Sequence, residues 1–258
     1  MIDLFKIYDD YIMDLKGENY DARYEGKDEW FHASGAGLCM RKHYFAQIEK
    51  LPTGDKDSNT MRLFRLGDLV HGDMQEALER YAKKNGYEVH IETEILIPRL
   101  NVRSFVDAMI LKDGALYDIK TCNDFKWQSI FGRYGSKEAP QNYAIQLGTY
   151  GLYYRENNIK INKMALLFYN KNNSRVKELK VPRKYIDIAE RYWLKVEELF
   201  KDGLPPIQKG FSPVEDWECN PKYCSFYEAC GGGIKGIQER ENKWTKFDRD
   251  WETFLYRW

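Results

Sequence analysis

Two aspartates and a lysine lie close together in the middle of this chain, in segments that alternate like strands. Asp118 and Lys120 are separated by one isoleucine, so an extended strand would point both side chains to the same face. A hairpin with the preceding segment would place Asp107 beside them. The two carboxylates, with the main-chain carbonyl of Ile119, offer oxygen ligands that suit Mg²⁺ or Mn²⁺. Lys120 would then orient a water and stabilise charge growing on a phosphate.

The same residues also have a simpler interpretation, because Asp-X-Lys is a weak motif. They could form the charged, solvent-facing side of an amphipathic hairpin. Two further pairs of residues help to decide between these interpretations. Gly67 and His71 lie four residues apart in a helical stretch before the strands, and Gln146 and Tyr150 have the same spacing after them. Residues four apart share a helix face, so each pair can point back at the sheet.

Four cysteines form a second candidate site. Cys39 lies near the N-terminus, whereas Cys219, Cys224 and Cys230 follow one another in the pattern C-x4-C-x5-C. Four thiolates are a complete ligand set for zinc or for an iron–sulfur cluster. The fifth cysteine, Cys122, has no partner nearby in sequence and is predicted to be a buried structural thiol. An odd number of cysteines without an export signal indicates reduced thiols in a cytoplasmic compartment.

The hydrophobic pattern predicts the elements that position these residues. Ser34 is expected to cap a helix carrying Cys39, and residues 125–134 are expected to form a loop. The predicted helices cover 2–15, 61–85, 141–156, 183–202 and, as a closing helix, 237–258. The predicted strands cover 89–97, 102–111, 115–121, 164–169 and 176–181. This order favours an α/β core on a mixed sheet over a doubly wound parallel one.

The bulk composition limits the classes of function. The 258 residues (30.7 kDa) can bury a substantial core, and no apolar run is long enough to span a membrane. Lysine plus arginine and aspartate plus glutamate both number 40, so the formal net charge is zero. A nucleic-acid binder of this composition must concentrate its basic residues locally.

One segment does concentrate them, since residues 126–137 interleave cations with aromatic side chains. Lys126, Trp127, Arg133 and Tyr134 could place charges on phosphates and rings under the bases of a single strand, with Arg41 as a second basic point. The alternative is an ordinary solvated surface, because charged residues make up 31% of the chain.

Taken together, these motifs occur in an order that resembles the RecB-like nucleases of the PD-(D/E)XK superfamily. The order is Gly67-X-X-X-His71, a strand aspartate, Asp118-Ile-Lys120 and Gln146-X-X-X-Tyr150. The flanking cysteines make the chain similar to the iron–sulfur branch, which includes CRISPR-adaptation exonucleases, AddB-type helicase–nucleases and phage exonucleases. The resemblance extends from about residue 33 to 231.

This resemblance implies a restriction-endonuclease-like core over 61–203, between an N-terminal helical segment (1–60) and a C-terminal cysteine segment (204–258). It implies that the divalent ion is held by His71, Asp107, Asp118 and the Ile119 carbonyl, with Lys120 as the catalytic lysine. Gln146 and Tyr150 would match the family's motif beside the active site. Cys39, Cys219, Cys224 and Cys230 would ligate a [4Fe–4S] cluster, with zinc as the alternative metal.

The implied activity is a DNA exonuclease that acts on single-stranded ends, with 5′→3′ polarity favoured, in repair, recombination, phage replication or CRISPR adaptation. The implied setting is the cytoplasm of a bacterial, archaeal or phage-infected cell, with DNA as the partner, no membrane, and a homo-oligomer or DNA-processing complex possible. The alternatives are a structure-selective endonuclease, a non-catalytic iron–sulfur DNA-binding subunit and a zinc-stabilised protein-interaction module.

Overall fold

The computed structural model describes residues 3–24, 30–53, 57–210 and 212–233. Six α-helices and six strands lie in this part of the chain. The helices are α1 (Leu4–Tyr24), α2 (Met40–Gln47), α3 (Ser58–Asn85), α4 (Asp124–Phe131), α5 (Gln141–Glu156) and α6 (Tyr185–Lys201). The strands are β1 (Phe31–His32), β2 (Val89–Ile97), β3 (Val102–Ile110), β4 (Ala115–Cys122), β5 (Lys163–Asn170) and β6 (Val176–Lys180).

Most of the predicted elements are confirmed, with ends that differ by at most three residues. The strands β2 to β6 and the helices α3, α5 and α6 all lie where the hydrophobic pattern places them. At the start of α3 the Asp57 side chain accepts a hydrogen bond from the Thr60 amide at 2.7 Å, and Gly86 ends the helix with a φ of 67°. Such a cap and a left-handed glycine are ordinary helix boundaries.

Three local predictions are wrong. Helix α1 continues to Tyr24, well beyond the predicted residue 15. Ser34 lies in a short 3₁₀ turn, and Cys39 itself takes the position before the first residue of α2. Residues 124–131 form α4 instead of a loop, because the Asn123 side chain accepts a hydrogen bond from the Lys126 amide and starts a helix there. The predicted closing helix 237–258 and residues 54–56 lie outside the described residues.

The strands form one mixed sheet flanked by helices, as predicted. Its order is β1-β3-β4-β5-β6, with β2 paired to β3. Pairing is parallel between β1 and β3 and between β4 and β5, and antiparallel elsewhere. None of the helices within the described residues is both long and apolar enough to cross a bilayer.

Strands β3 and β4 separate partway along their length, and this opening creates the site. Strand β2 pairs along nearly the whole of one edge of β3. On the other edge, β4 pairs only with Ala108 to Ile110, and β1 pairs only with Val102 and Arg103. The β3 edge between these two pairings carries Asp107, whose carboxylate is thus directed towards the backbone of β4 and not into a regular ladder.

Helices α3 and α5 lie on opposite faces of the sheet. Ile119 of β4 lines a cavity of about 290 Å³ together with Met74 and Leu78 of α3. The next residue, Lys120, contacts Gln146 of α5. Because successive side chains of a strand point to opposite faces, the sheet is sandwiched between the two helices. The face towards α5 and α6 carries the main hydrophobic core, which includes Trp193, Tyr154 and Leu116.

Candidate metal-binding active site

The structure brings the predicted carboxylates and lysine together where β3 and β4 separate. Asp118 is completely buried (0% exposed), and the Lys120 ammonium lies 2.8 Å from its Oδ2. Asp107 Oδ2 accepts a hydrogen bond from the main-chain amide of Ile119 at 2.6 Å. The Asp107 carboxylate therefore bridges the gap that the diverging strands leave open.

The electrostatics of this group indicate a site built for positive charge. Burial, with a smaller contribution from the neighbouring Asp107, raises the pKa of Asp118 to about 7 against the opposing effect of the Lys120 ammonium. Asp118 Oδ1 is buried and has no hydrogen-bond partner within the described residues. A buried carboxylate oxygen without a partner is costly, and a divalent cation would satisfy it. The oxygen-rich donor set therefore fits the predicted Mg²⁺ or Mn²⁺.

His71 reaches the same place from α3. Its Nδ1 lies 3.8 Å from Asp107 Oδ2, and the ring is partly buried. Burial lowers the pKa of His71, although the nearby Asp118 carboxylate raises it. A neutral imidazole is the form that ligates metals, so this environment is compatible with the predicted role.

A third carboxylate, which the sequence analysis missed, lies in this group. One ligand atom each from His71, Glu92 and Asp107 falls within 4.8 Å of the others. Glu92 comes from β2, on the far side of β3 from β4. Ile91 pairs with Ala108 and Thr93 with Val106, so the register of β2 and β3 sets Glu92 opposite Asp107. The register alone, however, does not show that the Glu92 side chain turns towards the site.

The predicted Gln146 and Tyr150 hold Lys120 from α5. Lys120 Nζ donates to Gln146 Oε1 at 2.9 Å, and Gln146 Nε2 donates to the Tyr150 hydroxyl at 2.6 Å. Tyr150 is 2% exposed, and burial raises its pKa well above the ordinary value. A neutral, buried tyrosine thus fixes the glutamine, and the glutamine fixes the lysine.

The residues predicted to bind nucleic acid do not all lie together. Trp127 is only 6% exposed and belongs to the hydrophobic core, so its predicted stacking on bases is corrected: α4 turns the ring inwards against Phe131. Tyr134 is 90% exposed, with the Arg133 guanidinium 5.4 Å from its ring centroid. Arg41 lies elsewhere, beside the cysteines.

Lys126 lies near Lys120. The ring of Tyr143 has the Lys120 ammonium 4.9 Å and the Lys126 ammonium 5.9 Å from its centroid. The two cations therefore share one aromatic ring, which connects the candidate site to the start of α4.

The four predicted cluster cysteines line one small cavity, although they are far apart in sequence. Cys39, Cys219, Cys224 and Cys230 surround it together with Arg41 and Lys42. Burial raises the pKa of the Cys230 thiol to about 11; Arg41 opposes this effect, and the three other thiols add to it. The Cys39 amide also donates to Glu218 Oε2 at 2.8 Å, which ties α2 to the C-terminal cysteine segment. Cys122 is buried away from this cavity, as predicted.

Comparison with known proteins supports the fold. No family model matches the chain, and no curated protein matches it. Similar solved structures include SSO0001, which aligns over 87% of this chain and 96% of its own with 20% identity and a TM-score of 0.52. The alkaline exonuclease LHK-Exo from Laribacter hongkongensis aligns over 72% of this chain and 94% of its own, with 13% identity and a TM-score of 0.42. The likeness to SSO0001 shows a shared fold.

Proposed function

We propose that this protein is a divalent-metal-dependent DNA exonuclease that hydrolyses phosphodiester bonds at single-stranded ends. The observation that carries the proposal is the buried Asp118, whose Oδ1 has no hydrogen-bond partner within the described residues and whose Oδ2 contacts Lys120. A solvated charged hairpin, the simpler interpretation of these residues, would leave the aspartate in water. Asp118 is instead buried in the opening between two strands, next to a second carboxylate.

The chain's own residues would act in two sets. His71, Asp107, Asp118 and the Ile119 carbonyl would hold the cation. When bound, a divalent cation supplies Lewis acidity at the scissile phosphate. The Lys120 ammonium forms an ion pair with Asp118 and donates a hydrogen bond to Gln146, and a further N–H can donate to a phosphate oxygen on which charge develops.

Gln146 and Tyr150 have a positioning role in this proposal. Together they form a chain of hydrogen bonds from the buried face of α5 to the lysine ammonium. Because a long lysine side chain has many rotamers, fixing its tip before the substrate arrives lowers the entropic cost of the reaction.

Single-stranded DNA is proposed as the substrate because of the cations and aromatic rings on α4 and just after it. Lys126 shares the ring of Tyr143 with Lys120, and the exposed Tyr134 carries Arg133 over its face. Cations on phosphates and an exposed ring under a base are the means by which proteins hold single strands without reading sequence. A 5′→3′ polarity stays a prediction.

The cysteine cavity is proposed to hold a [4Fe–4S] cluster, with zinc as the other candidate. Its support is that four thiols from both ends of the described chain line one cavity, with Arg41 and Lys42 able to offset thiolate charge. Cys219→Ser should abolish the iron content of protein purified without oxygen, whereas Cys122→Ser should keep it. Stoichiometric zinc in the wild type would contradict the cluster.

The nuclease proposal is tested with end-labelled linear single-stranded DNA and circular single-stranded DNA of the same sequence. In Mn²⁺ the protein should shorten the linear strand and leave the circle intact, and EDTA should stop the reaction. Labels at the 5′ and 3′ ends in separate reactions report polarity. Cutting of the circle would favour the structure-selective endonuclease, and no cleavage of either DNA would favour the non-catalytic binding subunit.

A further inference from the structure

The β2–β3 ladder is interrupted at a single pair of residues beside the site. Ile91 pairs with Ala108 and Thr93 with Val106, but the pair between them, Glu92 and Asp107, is out of the ladder. Where one residue on each strand leaves the ladder, neither side chain has to follow the regular alternation between the two faces of the sheet.

The side-chain pattern of β3 confirms that the strand turns over at this point. Ala108 and Ile110 line the cavity against α3 on one face of the sheet. Ser104 interacts with the Tyr150 hydroxyl of α5 on the other face. In an unbroken strand, residues 104, 108 and 110 would all point the same way. The strand therefore changes face between 104 and 108, where Asp107 lies opposite Glu92.

The backbone of Glu92 is held in an unfavourable conformation at the same place. Its φ is 44°, in the left-handed region that glutamate rarely adopts within a strand. Residues kept in such conformations cluster at ligand-binding and catalytic sites, because the surrounding structure must stabilise them against the strain.

Gln75 of α3 fixes both members of the pair. It is buried, and its Nε2 lies 3.0 Å from Glu92 Oε1 and 3.1 Å from the Asp107 carbonyl oxygen. One helix thus provides the amide that orients Glu92 and, one turn earlier, the imidazole of His71. The ligand atoms of His71, Glu92 and Asp107 consequently converge within 4.8 Å.

A second, independent observation, at the neighbouring Asp118, points to a ligand at this place. Asp118 is a neighbour of His71, Glu92 and Asp107, because the Asp107 carboxylate accepts a hydrogen bond from the amide of Ile119, the residue that follows Asp118. Asp118 is fully buried, and its Oδ1 has no hydrogen-bond partner within the described residues. The group therefore adjoins a buried acceptor that only a cation or another donor can satisfy.

We infer that Glu92 is a direct ligand of the divalent cation, together with His71 and Asp107. The inference rests on the proposed nuclease function and adds a third side-chain carboxylate to it. A histidine with several carboxylates is a donor set that suits Mn²⁺. In this assignment the positive φ of Glu92 directs its carboxylate from β2 across β3, towards the opening between β3 and β4.

Binding of Mn²⁺ alone, measured by titration calorimetry on the full chain, tests this role. Glu92→Gln keeps an oxygen that can accept from Gln75 and removes only the charge and one strong ligand. Its affinity for Mn²⁺ should fall about tenfold or more. Glu88→Gln, the same change at an exposed position just before β2, should bind like the wild type.

The melting temperature with and without Mn²⁺ separates a ligand from a purely structural residue. Glu92→Gln without metal should melt like the metal-free wild type but lose most of the Mn²⁺-induced increase. Should it bind Mn²⁺ as tightly as the wild type, the ligand assignment is wrong while the nuclease proposal stands. A wild type that binds no Mn²⁺ would overturn both. If Glu92→Gln does not fold, Glu92→Asp should fold and bind more weakly, and unchanged affinity there would also overturn the assignment.

Discussion

Lys120 of β4 donates a hydrogen bond of 2.9 Å to Gln146 of α5, so the candidate catalytic lysine is held by the helix that packs on its sheet. The same lysine contacts the buried Asp118 at 2.8 Å. Its position therefore depends on how closely α5 approaches the sheet and on the intact side chain of Gln146. This dependence makes the account testable at positions that contact neither a metal nor DNA.

Gln146→Met should lower the rate of cleavage without preventing metal binding. Methionine fills a similar volume but accepts no comparable hydrogen bond from Lys120, so the ammonium loses its fixed position. Since displacement of a catalytic group by about 1 Å can cost on the order of 100-fold, we expect kcat to fall about 10- to 100-fold. Mn²⁺ affinity should stay unchanged, and an unaltered kcat would contradict the positioning role.

Two glycine substitutions should have opposite effects on stability. A Cβ at Gly148 would overlap the carbonyl oxygen of Tyr185, at the contact between α5 and α6, so Gly148→Ala should destabilise the fold by about 1–3 kcal/mol. A Cβ at Gly72 meets nothing within 4 Å on α3, and Gly72→Ala should stabilise by about 0.5–1 kcal/mol. Urea denaturation measures both. Equal effects of the two would contradict the close helix packing.

His43 should make the protein less stable in mild acid. Burial lowers the pKa of this imidazole from 6.5 to about 4, and its Nε2 lies 2.7 Å from the Gly35 carbonyl. Between these two pKa values the unfolded chain binds more protons than the native one. Stability is thus fully present above pH 6.5 and is lost as the pH falls towards 4, by at most about 1.4 kcal/mol per pH unit.

The control for this prediction is His43→Gln, which can still donate to Gly35 but does not titrate. The free energy of unfolding of both proteins is measured at several pH values between 7 and 4.5. The wild type should lose more stability than the variant across this range. Parallel curves would show that the imidazole is not buried as described.

Lys126, beside the site, and the exposed Tyr134 should both contribute to binding of single-stranded DNA. Lys126→Ala should weaken binding and reduce the slope of log affinity against log salt by about 0.7, which is the loss of one phosphate contact on a single strand. Tyr134→Ala should weaken binding by about 1–3 kcal/mol, since its exposed ring is available for stacking. Fluorescence anisotropy with a short oligonucleotide measures both, and Trp127→Phe, a change in the core, should bind normally.

Much of the sheet and most of the helices could be predicted from the sequence because their side chains alternate regularly. The predicted strands β2, β3 and β4 and the helix α5 are confirmed, although α4 intervenes before α5. Asp107, Asp118, Lys120 and Gln146 lie together as the pattern predicted. Strand and helix periods determine which side chains share a face, and short connections limit which strands can pair.

The features that the sequence analysis missed depend on local breaks in those periods. Glu92 joins the site only because the β2–β3 ladder breaks there and its backbone adopts a positive φ, which no side-chain pattern indicates. Trp127 is buried because Asn123 starts the short helix α4, whose cations and aromatics resemble those of a binding loop. Segments this short carry too few residues for a reliable period.

The measurement that tests the central claim most directly is cleavage of end-labelled linear single-stranded DNA in Mn²⁺ by the wild type, Asp118→Asn and Lys120→Ala. Glu88→Gln, an exposed change near the sheet, is the control. The wild type and the control should shorten the DNA, and both site variants should be inactive although folded. Cleavage by Asp118→Asn and Lys120→Ala at the wild-type rate would contradict the assignment of this site.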